Sequence, residues 1–137
     1  MSKYRPLTQK NKYYIPKEDY LTAVHYSLRY PLWKEEFDMS ADTRSAIRYD
    51  IERVQNNAEY DSTSETALRL SKIWDKMQLV EEVVKIASDG SGLDNWLKLG
   101  VCYGLTFYQL KERSMPCERN MYYRIRKRYY YELSMRI

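Results

Sequence analysis

Apolar side chains recur every three or four residues along most of this chain, which is the spacing of one face of an α-helix. Such stripes occupy roughly residues 17–29, 32–37, 43–55 and 64–87. No segment of useful length alternates apolar and polar side chains, as a half-buried strand would. The pattern therefore predicts an all-α fold.

The last third of the chain predicts a compact group of three shorter helices. The sequence Asp89-Gly90-Ser91-Gly92 breaks the long stripe, because glycine and serine favour turns. Further helical patterns follow at roughly 93–103, 106–113 and 118–133. The break predicts a hinge between an N-terminal body and this C-terminal group.

Side chains on the stripes form the predicted core. Those expected to point inward are Tyr20, Leu21, Val24, His25, Leu28, Leu32, Trp33, Phe37, Leu68, Leu70, Ile73, Trp74, Met77, Val80, Val83, Val84, Ala87, Leu93, Trp96, Leu97, Leu99 and Val101. His25 has no cysteine or carboxylate at ligand spacing, so a core or interface histidine is favoured over a catalytic one.

The segment from 106 to 133 has the order of a helix-turn-helix, in which a short helix precedes a second helix that enters the major groove of DNA. Thr106 is the expected cap of the first helix, and Cys117 lies where Ser or Thr usually caps the second. Leu110 and Met121 have the spacing of the apolar pair that locks two such helices together. Met121 then begins a predicted buried row at four-residue intervals, which continues through Ile125, Tyr129 and Leu133.

The second of these helices begins with a strongly basic run. The stretch 119–128 contains five Arg or Lys side chains and no acidic one, interleaved with two tyrosines. Arginine and asparagine can each form two hydrogen bonds with a base edge, whereas lysine mainly neutralises phosphate. We therefore predict base contacts from Arg119, Asn120 and Tyr123. The predicted phosphate contacts come from Arg124, Arg126, Lys127 and Arg128.

Three tyrosines follow the basic run. Tyr129 is expected to be buried, and Tyr130 or Tyr131 is expected to be available to a partner.

Charge is unevenly distributed, although the net charge is only +4. Residues 1–17 carry five Lys/Arg and no Asp/Glu, residues 18–92 carry nine against fifteen, and residues 93–137 carry nine against four. A polyanion would be held by the ends and repelled by the middle. This division predicts a basic flexible arm at 1–16, a helical body for interaction or dimerisation at 17–89, and a DNA-binding helix-turn-helix unit at 93–137. For the arm, disorder is favoured over a course along the minor groove.

The chain offers few groups for catalysis or metal binding. Cys102, Cys117 and His25 cannot assemble a zinc site, and neither cysteine has a base beside it in sequence. The acidic cluster at 35–38 fits a solvated surface better than a metal site. No nucleophile with its base and no phosphate-binding loop is visible, so we expect no enzyme activity, no cofactor and no metal. No secretory or membrane-spanning segment is visible, which favours the cytoplasm.

Several motifs resemble the C-terminus of the ArpU/RinA group of phage late-gene transcription regulators. They are Leu105-Thr106-Phe107-Tyr108-Gln109-Leu110, Met115-Pro116-Cys117-Glu118-Arg119 and Tyr122-Tyr123-Arg124-Ile125-Arg126-Lys127-Arg128-Tyr129-Tyr130. The DNA-binding end of that group is similar to region 4 of sigma factors. The blocks Tyr30-Pro31-Leu32-Trp33-Lys34-Glu35-Glu36-Phe37-Asp38-Met39 and Ala46-Ile47-Arg48-Tyr49-Asp50-Ile51 also resemble small proteins of prophages and integrated elements in Gram-positive bacteria.

The resemblance implies a sequence-specific binder of double-stranded DNA that activates late or packaging genes in the cytoplasm of a host bacterium. The N-terminal body would form a homodimer or contact RNA polymerase. The sequence departs from the usual helix-turn-helix motif in three ways. Lys111 replaces a small residue, Ser114-Met115 replaces the turn glycine, and Pro116 follows directly.

Two other readings of the basic helix remain open. It could occupy a nucleic-acid channel of a host or defence protein, which would make the chain a phage effector rather than a regulator. Stacked tyrosines could also bind RNA. Weak DNA affinity together with a stable host complex would distinguish the effector from the regulator.

Overall fold

The computed structural model describes residues 12–40 and 62–137, and side chains in the second range from Glu65 onward. The predicted helix at 43–55 and most of the predicted arm, residues 1–11, lie outside these residues. The described residues form an all-α fold, which confirms the predicted class. Its helices are α1 (Lys17–Leu28), α2 (Tyr30–Met39), α3 (Ser62–Ser88), α4 (Asp94–Tyr103), α5 (Phe107–Glu112) and α6 (Arg119–Ser134).

Contacts divide the chain into two compact units whose limits differ from the predicted boundaries. One unit comprises the described residues up to Tyr30 together with Val80–Ile137, and the other lies within Pro31–Leu79. Helix α1 belongs with the C-terminal helices because its buried face packs on α6. The Ser27 and Tyr129 hydroxyls are 2.7 Å apart, and the Tyr20 and Tyr130 rings meet edge to face.

The break at 89–92 is confirmed, but it does not separate the two units. Asp89, Gly90 and Gly92 all have positive φ values, at 46°, 75° and 77°, which end α3 and reverse the chain. The residues on both sides of this turn belong to the larger unit. The predicted hinge between body and C-terminal group is therefore a turn inside one packed unit.

The core of the larger unit contains most of the side chains predicted from the helical stripes. Val24, Val80, Val83, Val84, Ala87, Leu93, Leu97, Val101, Leu110, Ile125, Tyr129 and Leu133 are all buried. His25 was predicted as a core or interface histidine; it is exposed and so is not part of the core, while Ser27 is fully buried two residues later. The prediction that Tyr130 or Tyr131 is available to a partner was wrong for Tyr130, whose ring is covered by Tyr20 of α1. An apolar stripe read from sequence cannot show how far a neighbouring helix wraps around it.

A polar cluster joins the end of α3 to α4 in the same unit. The Tyr30 hydroxyl and the Lys98 ammonium both donate to Oε1 of Glu81, each at 2.5 Å. Burial alone would raise the pKa of Glu81, but these two donors outweigh it and lower the pKa below its ordinary value. The carboxylate is therefore a charged link between helices.

The smaller unit pairs α2 with the first part of α3. Trp33 and Phe37 are buried, as predicted, and the Phe37 ring lies 5.2 Å from that of Trp74. Leu32 was predicted inward but is 65% exposed. Trp33 and Phe37 are four residues apart and share one face, whereas Leu32 is rotated away from it by about 100°. Trp74, also predicted inward, keeps 44% of its surface exposed.

Candidate nucleic-acid interface

The short helix α5 begins with the cap that its sequence predicts. The Thr106 side chain accepts a hydrogen bond from the Gln109 backbone N–H at 3.2 Å, and the Gln109 side chain accepts one from the Thr106 N–H at 2.8 Å. This reciprocal pair is a capping box, which satisfies two backbone donors at the helix start. Leu110 then points into the core and is fully buried.

The turn between α5 and α6 is closed by the residues that depart from the usual motif. Ser114 has a φ of 71°, the left-handed conformation for which glycine is the common choice. The Lys111 ammonium donates to the carbonyl oxygens of Met115 and Cys117, both at 3.1 Å. The Met115 side chain is buried. Lys111 therefore ties the turn together at a position where a small residue was expected.

The prediction that Cys117 caps α6 was wrong. Glu118 is the N-cap residue, and no side chain makes a capping hydrogen bond there. The Cys117 thiol is buried and donates to the Glu118 carbonyl oxygen at 3.3 Å. Burial raises its pKa above the ordinary value. The side chain therefore packs as a neutral thiol beneath the turn.

The inward residue at the start of α6 is Tyr122 and not the predicted Met121. Met121 is 37% exposed, whereas Tyr122 is 1% exposed and its ring centroid lies 5.8 Å from that of Phe107. Its hydroxyl packs on Gly100 so closely that a Cβ there would collide with it. Burial raises the pKa of Tyr122 to about 12. The buried row is thus shifted by one residue at its start, and Ile125, Tyr129 and Leu133 continue it as predicted.

The opposite face of α6 collects most of the predicted DNA contacts. Arg119, Asn120, Arg124 and Lys127 are exposed and Tyr123 is half-buried. Their spacing places all five on one side of the helix. Within the described residues, no carboxylate forms an ion pair with any of these three cations. We call this surface, made of residues 119, 120, 123, 124 and 127, the basic face.

Two tyrosines hold the first arginine of the basic face in place. The Arg119 guanidinium lies 5.9 Å from the Tyr108 ring centroid and 5.6 Å from that of Tyr123. Arg126 stacks on Tyr123 as well, at 4.6 Å. Such contacts between cations and aromatic rings limit the side-chain conformations. Tyr108, which was not among the predicted site residues, therefore positions a predicted base-reading residue.

Arg126 and Arg128 do not lie on the basic face. Arg126 is half-buried against Tyr123, and Arg128 turns toward the break after α3, where one of its nitrogens lies 3.6 Å from a carboxylate oxygen of Asp89. The Arg128 Nε is buried and has no hydrogen-bond partner among the described residues. Both residues were predicted as phosphate contacts because they belong to the basic run. The helical rotation places them instead on either side of the basic face.

A groove of about 580 Å³ runs beside the basic face. It is lined by Asn120, Tyr123, Arg124 and Lys127 of α6 and by Lys12 and Tyr13 from the segment before α1. The Tyr13 ring meets that of Tyr131 edge to face, with centroids 5.5 Å apart. Residues 12–16, predicted as part of a flexible arm, thus pack against α6. The basic charge of the N-terminal segment was the signal that could have placed Lys12 here.

Comparisons with protein-family models, curated proteins and solved structures found no match. The likeness to phage late-gene regulators therefore remains a prediction. Among the residues that the structure describes, no helix is long and apolar enough to cross a membrane, and no cluster of His, Cys, Asp and Glu could hold a metal ion.

Proposed function

We propose that this chain is a sequence-specific DNA-binding regulator of phage or prophage transcription that activates late or packaging genes. The observation that carries the proposal is the basic face of α6. Its three cations are exposed and without acidic partners in the described residues, on a helix that follows a capped helix and a closed turn. Unpaired cations arranged along one helix face match the negative charge of a duplex backbone.

The dimensions of the basic face suit a major groove. An α-helix with its side chains is about 10–12 Å across, which fits the roughly 12 Å width of that groove in B-DNA, and the basic face extends about 12 Å along the helix axis from Arg119 to Lys127. Arg119, Asn120 and Tyr123 lie nearest the N-terminus of α6, the end that reads base edges in a helix-turn-helix. Arg124 and Lys127 follow and would contact phosphates. Arg126 would support Tyr123, and Arg128 has no role in this proposal because it faces Asp89.

Pairing of two copies belongs to the same proposal. One short reading helix contacts few base pairs, whereas two linked copies bind two half-sites at a higher effective concentration. RNA polymerase is the other proposed partner, and the bacterial cytoplasm is the proposed location. Light scattering with and without target DNA would measure the pairing directly.

The experiment is a selection of duplexes from a random library, followed by fluorescence titration of the selected site and a scrambled site. Arg119→Ala is expected to weaken binding to the selected site by about 1–3 kcal/mol and to relax the preference at one position. Arg124→Gln should weaken both sites equally, because a phosphate contact carries no sequence information. Arg29→Gln, an exposed arginine at the end of α1, is the matched control and should leave binding unchanged.

Two outcomes would contradict the proposal. In the first, no duplex is enriched and Arg119→Ala binds all duplexes like the unmodified protein. In the second, duplex affinity is weak throughout while a host or defence protein forms a stable complex that Arg124→Gln disrupts. The second outcome would establish the effector reading in place of the regulator.

A further inference from the structure

We propose that Lys12, from the segment before α1, joins Arg124 and Lys127 in binding one phosphate of the DNA backbone at the edge of the basic face. This inference rests on the proposed function. It adds to the DNA site a residue that lies about a hundred positions before α6 in the sequence. It makes the DNA site bipartite, with one part from α6 and the other from the segment that precedes α1.

The segment that carries Lys12 is held against α6 by its own side chains. Tyr13 packs edge to face on Tyr131, and Ile15 is buried at 8% exposure. The Lys12 ammonium lies 5.5 Å from the Tyr13 ring centroid. Lys12 therefore reaches the groove from an anchored segment, which lowers the entropy lost when it binds a ligand.

The charge of the groove indicates an anionic ligand. Lys12, Arg124 and Lys127 all line it, and none of its lining residues in the described part of the chain is acidic. Three like charges in one groove repel each other, and a bound anion would relieve that repulsion. The Asn120 amide adds two neutral N–H donors to the same groove. A phosphate, with several acceptor oxygens, can use charged and neutral donors together.

The position of the groove indicates a phosphate that belongs to DNA. Asn120 and Tyr123 line the groove and also belong to the predicted base-reading set. A strand whose bases contact these two side chains must carry its backbone past the same place, because base and phosphate are joined through one sugar. The groove is open and large enough to admit a sugar and its phosphate.

The test measures how duplex affinity depends on salt for the full chain, Lys12→Gln, Lys127→Gln and a triple variant that combines both changes with Arg124→Gln. Each neutralised phosphate contributes about 0.9 to the slope of log affinity against log salt concentration. Lys12→Gln should weaken selected and scrambled duplexes by the same factor, on the order of three- to tenfold. Each single variant should leave the slope nearly unchanged, and the triple variant should lower it by about 0.9 in total, because all three cations neutralise the same phosphate. Lys72→Gln, an exposed lysine of α3 that does not line the groove, is the control.

Three results would overturn this inference while leaving the proposed function intact. In the first, Lys12→Gln behaves like Lys72→Gln while Lys127→Gln weakens binding. In the second, the triple variant lowers the slope by about 1.8 or more, which means separate phosphates. In the third, inorganic phosphate at constant ionic strength saturates the full chain but not Lys12→Gln, and the two bind duplex equally, which means a small-anion site. Absence of duplex binding by the full chain would instead refute the proposed function, and this inference with it.

Discussion

The two halves of α6 both contain tyrosines but differ in how far their surroundings cover them. The first half, residues 119–128, keeps one side in solvent and presents the basic face. The second half, residues 129–134, is covered by α1, so that Tyr129, Tyr130 and Leu133 are buried. Both halves are rich in tyrosine. The surrounding helices, and not the residue type, decide whether a tyrosine belongs to the core or to the candidate interface.

Tyr123 and Tyr129 show the contrast most clearly. Tyr129 has no exposed surface, and its hydroxyl pairs with that of Ser27 on α1. Tyr123 is half-buried, and its ring supports two guanidinium groups. Tyrosine suits both places because it joins a large apolar ring to a polar group. The stability of the fold should therefore depend on the buried side of α6, which includes Tyr122 and Tyr129, and DNA binding on the exposed side of its first half.

Truncating the buried tyrosine should have the largest effect. Tyr129→Ala is expected to lower the free energy of unfolding by about 3–5 kcal/mol, because it leaves a cavity between α1 and α6. Tyr123→Ala should cost about 1 kcal/mol or less, since its ring is partly solvated. Urea unfolding followed by circular dichroism measures both. Equal losses would mean that the two halves of α6 are not distinct.

Alkaline pH should destabilise the fold through its buried tyrosines. The pKa of Tyr122 is raised by burial to about 12, whereas an unfolded tyrosine ionises near pH 10. Between these values the unfolded chain has lost the proton that the folded chain keeps, so stability is complete below about pH 10 and falls as pH rises toward 12. Tyr122 alone accounts for about 2–3 kcal/mol at the upper limit.

Urea unfolding at a series of pH values tests this expectation, with tyrosinate absorbance as a second readout. Burial also raises the pKa of Tyr129 and Tyr130, which steepens the decline. Tyr122→Phe should make the decline shallower because one of the buried phenols is gone. A stability that stays level up to about pH 12 would contradict the burial of these side chains.

Removing single hydroxyls should give effects of opposite sign. Tyr129→Phe loses the bond to Ser27 and is expected to cost about 1 kcal/mol. The Tyr122 hydroxyl is buried without a hydrogen-bond partner in the described residues. Tyr122→Phe should therefore be neutral or should stabilise by up to about 1 kcal/mol. Calorimetry of the two variants side by side checks the sign, and a loss from both would show that Tyr122 has a partner.

The smallest effect on stability is expected on the basic face. Arg124→Gln should change the free energy of unfolding by less than about 0.5 kcal/mol, because its side chain is exposed and has no ion pair within the described residues. Reduced repulsion from Lys127 would act in the stabilising direction. The same urea assay applies, and Arg29→Gln is again the control. A loss as large as that of Tyr129→Ala would mean that the basic face is structural.

Local features of the fold could be predicted from the sequence because their causes are local. Thr106 caps α5 through a residue three positions away, and glycines at 90, 92 and 104 adopt the left-handed turns that end α3 and α4. The basic run at 119–128 was equally visible. Each of these signals acts within one or two helical turns, where the number of residues between two positions determines their distance in three dimensions.

The errors have a different origin, which is packing between distant segments. Met121 and Tyr122 are both apolar enough to face inward. Tyr122 occupies the inward position because its hydroxyl packs against Gly100, which has no side chain to block it. Leu32 and His25 lie on apolar stripes and are nevertheless exposed among the described residues. The positions of Arg126 and Arg128 follow from the rotation of α6 on its neighbours, which charge alone does not reveal.

The order of residues was enough to predict the all-α character, the helix limits near turns and the clustering of cations near the C-terminus. These features follow from propensity, capping and periodicity, which act between near neighbours. Three-dimensional packing was required to cover the second half of α6 with α1, to bury Tyr122 in place of Met121 and to bring Lys12 beside Arg124. Those contacts join residues up to about a hundred positions apart. They depend on the shapes of surfaces that exist only after the helices have come together.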